Sequence, residues 1–225
     1  MLWLSNINTG SVIMDIAAFF LLIGMMVNTR LYRQRGRIDD RIYFYLLVLN
    51  MVVAVFDTAI YFLDESPVQG KSLMLLGLES VFSILITLLP LLISLVLDYQ
   101  WHRQEDRVFR LWKPMMVGVV YSVVIVVINW GTGLLYYTDA RGVYTYAPAY
   151  PLVYVPTVIY TIYSLICGWN INKRLIAAYL ILIAARLFLR AFLGDMSSTT
   201  FLYAVFLVYL HLQTMNEAFY EEEAQ

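Results

Sequence analysis

Charge is what this 225-residue chain has least of: 14% of its residues are Asp, Glu, Lys or Arg, while 61% are hydrophobic. Soluble domains carry about 25% charged residues, so a soluble fold is excluded. The formal net charge of -1 supplies no basic excess for phosphates, which excludes nucleic acid as a main partner. Cys167 is the single cysteine, so neither an internal disulfide nor a thiolate metal cluster can form. Lys71, Lys113 and Lys173 are the only lysines. None lies in an apolar run, which rules out a retinal Schiff base and with it a rhodopsin. The two histidines, His102 and His211, are too few for a metal site. No basic stretch precedes the first apolar run, so no cleaved signal peptide is expected.

What the chain has instead is long apolar runs. A bilayer core of about 30 Å needs about 20 mainly apolar residues per helix. Seven segments qualify: 11–29, 42–63, 73–99, 114–130, 150–168, 174–193 and 198–214. The sequence therefore predicts an all-α integral membrane protein, a seven-transmembrane helix bundle over residues 1–214. Residues 215–225 are expected to form a cytoplasmic helical tail. Basic residues orient the bundle. Arg30, Arg33, Arg35, Arg37 and Arg41, then Arg103, Arg107, Arg110 and Lys113, then Lys173 and Arg174 fall in alternate loops. The other loops hold only Lys71 and Arg141. This asymmetry puts the N-terminus outside and the C-terminus inside the plasma membrane.

The stretch "YYTDARGVYTYAPAY" at 136–150 is then extracellular, between helices four and five. Residues 136–138 and 143–146 have strand-like composition, and 139–142 have turn chemistry, so a β-hairpin is expected. An isolated hairpin is marginal in water and must lean on something. Two readings stand: a lid over an outward-facing cavity, or an aromatic loop resting at headgroup level.

Polar residues recur at helical spacing and mark faces turned toward the bundle interior. They run Asn50, Asp57, Asp64 on helix two, and Glu79, Ser83, Thr87, Pro90, Ser94, Asp98 on helix three. Helix five shows Tyr150, Tyr154, Thr157, Thr161, Ser164. The Ser and Thr hydroxyls read as interhelical hydrogen bonds at about 1 kcal/mol each. Pro90 and Pro156 are expected to kink their helices. Charges within spans cost about 3 kcal/mol and require a partner or a cavity. Counted at about 1.5 Å per residue, Asp57 and Glu79 lie about 9 Å inside their helices, and Arg186 and Arg190 about 5–11 Å. Asp15 adds a shallower carboxylate. In one reading the acids neutralise Arg186 and Arg190. In the other a guanidinium fork remains for a carboxylate or phosphate ligand. Arg186, Arg190, Asp57, Glu79, Tyr150 and Tyr154 are the candidate ligand-binding residues.

No nucleophile with an adjacent base is visible, and "GTG" at 131–133 is too short to cradle phosphate. No enzyme activity, metal or cofactor is expected. An Asp57–Glu79 acid/base pair is the one catalytic alternative. The arginines do not recur every third residue, against a voltage sensor. The end "VYLHLQTMNEAFYEEEAQ" lacks Pro and Gly, so one helix is predicted to run from Ser198 to about Glu223. Its terminal glutamates oppose the helix dipole, which suits a tail that engages a further module.

Seven spans, an outside N-terminus and the run from "YYTDARGVYTYAPAY" into helix five give the chain a family likeness. It resembles the seven-helix N-terminal membrane sensor region of bacterial signalling proteins, as in Gram-positive diguanylate cyclases with a GGDEF domain. Asp139, Gly142, Val143, Tyr144, Pro148, Tyr150, Pro151 and Tyr154 match that pattern, whereas Tyr146 and Ala147 stand where it has Arg and Gly. No GGDEF-like sequence is present. The resemblance implies a receptor that binds an extracellular small molecule, of anionic type if an arginine is free. The signal would pass along helix seven, through Tyr209 and His211, to a cytoplasmic signalling domain or partner protein. The bilayer and a homodimer are further expected associations. A small-molecule transporter or a structural membrane subunit are the alternatives.

Overall fold

A computed structural model describes residues 9–32, 38–64, 66, 70–138, 144–193 and 199–223. The hairpin turn at 139–142, Arg33, Arg35 and Arg37 lie outside the described residues. So do the side chains of Arg30, Arg186 and Arg190, although these three belong to helices. Seven α-helices are described: α1 Thr9–Tyr32, α2 Ile38–Asp64, α3 Lys71–His102, α4 Glu105–Thr132, α5 Val155–Ile171, α6 Lys173–Leu193 and α7 Thr199–Glu223. Between α4 and α5 lie two short strands, β1 Tyr136–Thr138 and β2 Tyr144–Tyr146, and a 3-10 turn, Tyr150–Tyr154.

Among the described residues, five helices or helix-and-turn units are long and apolar enough to cross a membrane: Val12–Thr29, Arg41–Asp64, Lys71–His102, Glu105–Thr132 and Tyr150–Ile171. In α7 the described apolar stretch, Thr199–Gln213, is shorter. α6 carries Lys173, Arg174, Arg186 and Arg190 among its 21 residues, and part of its C-terminal half lies outside the described side chains. The outward surface is greasy. α4 alone exposes Val117, Val120, Val124, Val127 and Ile128, a face that water would not tolerate and lipid would cover.

α3 is the axis of the bundle. In its most apolar 18-residue stretch 72% of the residues are buried, against 28–39% in the same stretch of the other long apolar spans. It packs on α2, α4 and α5, while α1 lies against α2 and α7, and α6 bridges α5 and α7. A helix enclosed on most sides must send its polar groups to neighbours, since no water is there to meet them. Its hydroxyl stripe does so. Thr87 Oγ1 lies 3.1 Å from Ser122 Oγ on α4, and Ser94 Oγ lies 2.8 Å from Ser164 Oγ on α5. Pro90 is buried inside α3.

Several boundaries differ from expectation. α4 begins nine residues before 114, at Glu105, because Glu105 and Asp106 suit the positive end of a helix dipole. Pro114 is thereby inside the helix. Pro156 lies where the 3-10 turn of its span passes into the α-helix. It sits in the first turn of α5, where its missing N–H costs nothing. At the α5–α6 corner the Asn172 side chain accepts a hydrogen bond from Arg174 N at 2.8 Å and caps α6.

Candidate functional site

Four described carboxylates inside the bundle are buried: Asp15, Asp57, Glu79 and Asp98. Their compensation differs, and the difference locates the site. Asp98 lies at the end of α3 remote from the hairpin. It takes two contacts of 3.1 Å from Arg107 Nε, a 2.7 Å bond from the Tyr163 hydroxyl, and His102 Nδ1 at 3.2 Å. It is fully compensated. Asp15 on α1 accepts bonds from Thr58 of α2, at 3.2 Å, and from Thr200 of α7, so it ties three helices together. Asp57 is buried on α2 and is partnered.

Glu79 is the exception. It is 3% exposed, and its Oε1 accepts one bond, 2.6 Å from the Tyr146 hydroxyl of β2. Its Oε2 is buried with no hydrogen-bond partner among the described residues. A buried carboxylate oxygen left unpaired is costly, and such a group calls for an explanation. The Tyr146 ring is half exposed, yet its hydroxyl end turns inward. Burial of that hydroxyl, and then the Glu79 charge beside it, hold the phenol well above its usual pKa range, so Tyr146 is the donor.

The hairpin that brings Tyr146 to α3 is held by Asn129, at the end of α4. Asn129 Oδ1 accepts from Leu135 N at 2.5 Å and Tyr136 N at 3.1 Å, while Nδ2 donates to Tyr136 O at 3.2 Å. Gly133 makes the turn that allows this. Its φ of 62° is left-handed, and its N–H closes α4 on Asn129 O at 2.8 Å. β1 then pairs antiparallel with β2, with Tyr136 opposite Tyr146. Tyr136 is fully buried, and its hydroxyl lies 3.1 Å from Ser80 Oγ, which also accepts Trp130 Nε1 at 2.8 Å. From Tyr146 an aromatic row continues through Tyr150, at 4.5 Å between centroids, to Tyr154, at 5.7 Å. The Tyr150 and Tyr154 hydroxyls lie 3.3 Å apart.

Tyr154 also borders a cleft of about 330 Å³ between α5, α6 and α7. Thr157, Thr161, Tyr179, Ile183, Leu202 and Tyr203 are among its walls. The Thr157 hydroxyl is buried without a hydrogen-bond partner. Arg186 follows Leu182 and Ile183 by about one turn along α6.

Glu79, Tyr150 and Tyr154 gather under and beside the hairpin, joined by Tyr146. Asp57 is buried on α2. Whether Arg186 and Arg190 meet any of them lies outside the described side chains. At the far end His211 stacks on Tyr43 of α2, at 5.4 Å between centroids, and its Nε2 lies 3.4 Å from Asn28 Nδ2 of α1. Tyr209 is half-buried against the core. No group of three metal-binding side chains occurs among the described residues.

No protein-family model matches the chain, and neither a curated protein nor a solved structure is significantly similar to it. The site must therefore be read from its own chemistry. Two features of the bundle escaped sequence reasoning. Asn129 gave no motif, because one asparagine before "WGTG" reads as a simple loop signal. The Asp98–Arg107 pair was legible in principle: nine residues across a helix reversal bring an acid and a base back together.

Proposed function

We propose that this chain is a seven-helix sensor of the plasma membrane, with the hairpin end outside. It takes up a small molecule in the cleft between α5, α6 and α7. The resulting change passes along α7 to a cytoplasmic signalling module, in the same polypeptide or in a partner. The observation that carries this reading concerns α7. Its first two turns wall the cleft, through Thr199, Leu202, Tyr203 and Phe206, and the helix then continues to Glu223. A ligand lodged there touches the start of a helix that runs on unbroken to Glu223. At about 1.5 Å per residue its 25 residues reach about 37 Å. Differential contact with α7 in two states is what a relay requires.

Three further observations support the reading. Basic residues concentrate in the loops opposite the hairpin, which favours the hairpin outside. His211, near the base of α7, packs against both α1 and α2, so a shift of α7 is felt by its neighbours. The resemblance to bacterial membrane sensor regions points the same way. The lining is mostly apolar, and Arg186 stands one turn on along α6, so the ligand class is an anion with an apolar body.

Decanoate serves as the probe. Full-length protein in lipid nanodiscs is heated with a thiol-reactive dye, which reports opening at the fully buried Cys167. Decanoate should raise the midpoint saturably, and decanol should do so less. Leu202→Trp, which fills the cleft, should remove the effect. An equal shift in the filled variant, or no shift with carboxylates of eight to twelve carbons, would overturn the proposal.

A further inference from the structure

A second site lies under the hairpin, next to Tyr154, which also borders the cleft. We propose that Glu79 and the tyrosines around it form a binding site for a small organic cation, an amine or quaternary ammonium, with Tyr146 as its movable cover.

The argument begins with what Glu79 lacks. Asp98 has a guanidinium and Asp15 has two threonine hydroxyls, but Glu79 has one phenol and an oxygen with nothing bonded to it. Asp64 lies near enough to add to the negative potential at that carboxylate. The one described cation at this end, Lys71, is engaged by its ammonium with the Asp64 backbone carbonyl. Lys71 also precedes Glu79 by eight residues on α3, about 12 Å. Among the described residues no cation meets Glu79, and its bare oxygen is an acceptor that a positive charge would satisfy.

The surroundings select the kind of cation. Beside the carboxylate stand the Tyr146 and Tyr150 rings, and Tyr61 of α2 and Tyr154 lie close enough to Tyr146 to disfavour its charged form. Aromatic faces attract ammonium groups through their quadrupoles. Alkali and alkaline-earth ions instead want a shell of six or so oxygens, and no such shell is described here. Access comes through Tyr146. Tyr146 is 51% exposed, and its hydroxyl donates to Glu79 Oε1 at 2.6 Å. Rotation of that side chain frees Oε1, and the arriving ammonium replaces the phenol as donor.

The phenol and the ligand therefore compete for one carboxylate, which a purely structural hydrogen bond would not imply. The test uses full-length protein in nanodiscs and the Cys167 labelling midpoint. Methylammonium and tetramethylammonium chloride are titrated against sodium and potassium chloride at equal ionic strength. Wild type should show a saturable rise with the organic cations only. Glu79→Gln, which keeps a hydrogen-bond acceptor for Tyr146, should weaken that response about tenfold or more. Tyr146→Phe should strengthen it, because the competing hydroxyl is gone. Equal responses in wild type and Glu79→Gln, an equal rise with sodium, no response at all, or weaker binding in Tyr146→Phe would each overturn the proposal. If Glu79→Gln does not fold, the Tyr146→Phe arm decides alone. Decanoate binding in the cleft is untouched by either variant, so the failure of one site leaves the other standing.

Discussion

Arg107 Nε lies 3.1 Å from each carboxylate oxygen of Asp98, across the reversal of direction between α3 and α4. Asp98 is fully buried, while the Arg107 side chain is 35% exposed. The pair also gathers Tyr163 of α5 and His102. Three helices are therefore anchored to one carboxylate at the end opposite the hairpin.

Removing the guanidinium should cost more than removing both charges. Fully enclosed pairs lose about 3–5 kcal/mol when one partner is deleted, and a part-exposed arginine lowers that figure. Arg107→Ala should destabilise the protein by about 2 kcal/mol. Adding Asp98→Asn should recover part of the loss, as read by a double-mutant cycle on the Cys167 labelling midpoint.

Asn129→Ala should loosen the hairpin before it loosens the bundle. It strips partners from the N–H groups of Leu135 and Tyr136 and from the Tyr136 carbonyl. The expected cost is about 1–3 kcal/mol. Hydrogen exchange should accelerate at 134–138 and 144–147 while α3 stays protected.

Gly118 lets α4 approach α5. A Cβ there would fall 2.8 Å from Tyr160 Cζ and 2.9 Å from Pro156 Cβ. Gly118→Ala should cost about 1–3 kcal/mol through overpacking. Tyr160→Phe in the same chain should relieve part of it, since the Tyr160 hydroxyl is the nearest obstacle.

Thr157→Val should do the opposite. The threonine hydroxyl is buried in the cleft wall with no partner, and an isosteric methyl removes that penalty. A gain of about 1 kcal/mol is expected in thermal unfolding without ligand. A loss would mean that the hydroxyl is partnered in the membrane.

Helix periodicity carries much of the architecture, because apolar runs of membrane length and their polar stripes are written in linear spacing. The hydroxyls on α3 were legible for that reason: residues three or four apart on one helix must face one side, and Ser94 and Thr87 do meet hydroxyls across the interface. Depth counting also put Glu79 near the hairpin. It could not say which buried acid would be satisfied, since that depends on partners distant in sequence. Thr200 reaches Asp15 from 185 positions away. The start of α4 was missed because its first turns are charged, so the apolar run understates the helix.

Composition and spacing alone established a helical chain too apolar for water, with a tyrosine-rich connection between its fourth and fifth helices. Tertiary packing decided that Tyr146 of that connection meets Glu79, and that one oxygen of the acid stays bare. The reason is physical. Hydrophobic periodicity is a local property of a helix face, whereas the compensation of a buried charge depends on which side chains the fold happens to bring within about 3 Å.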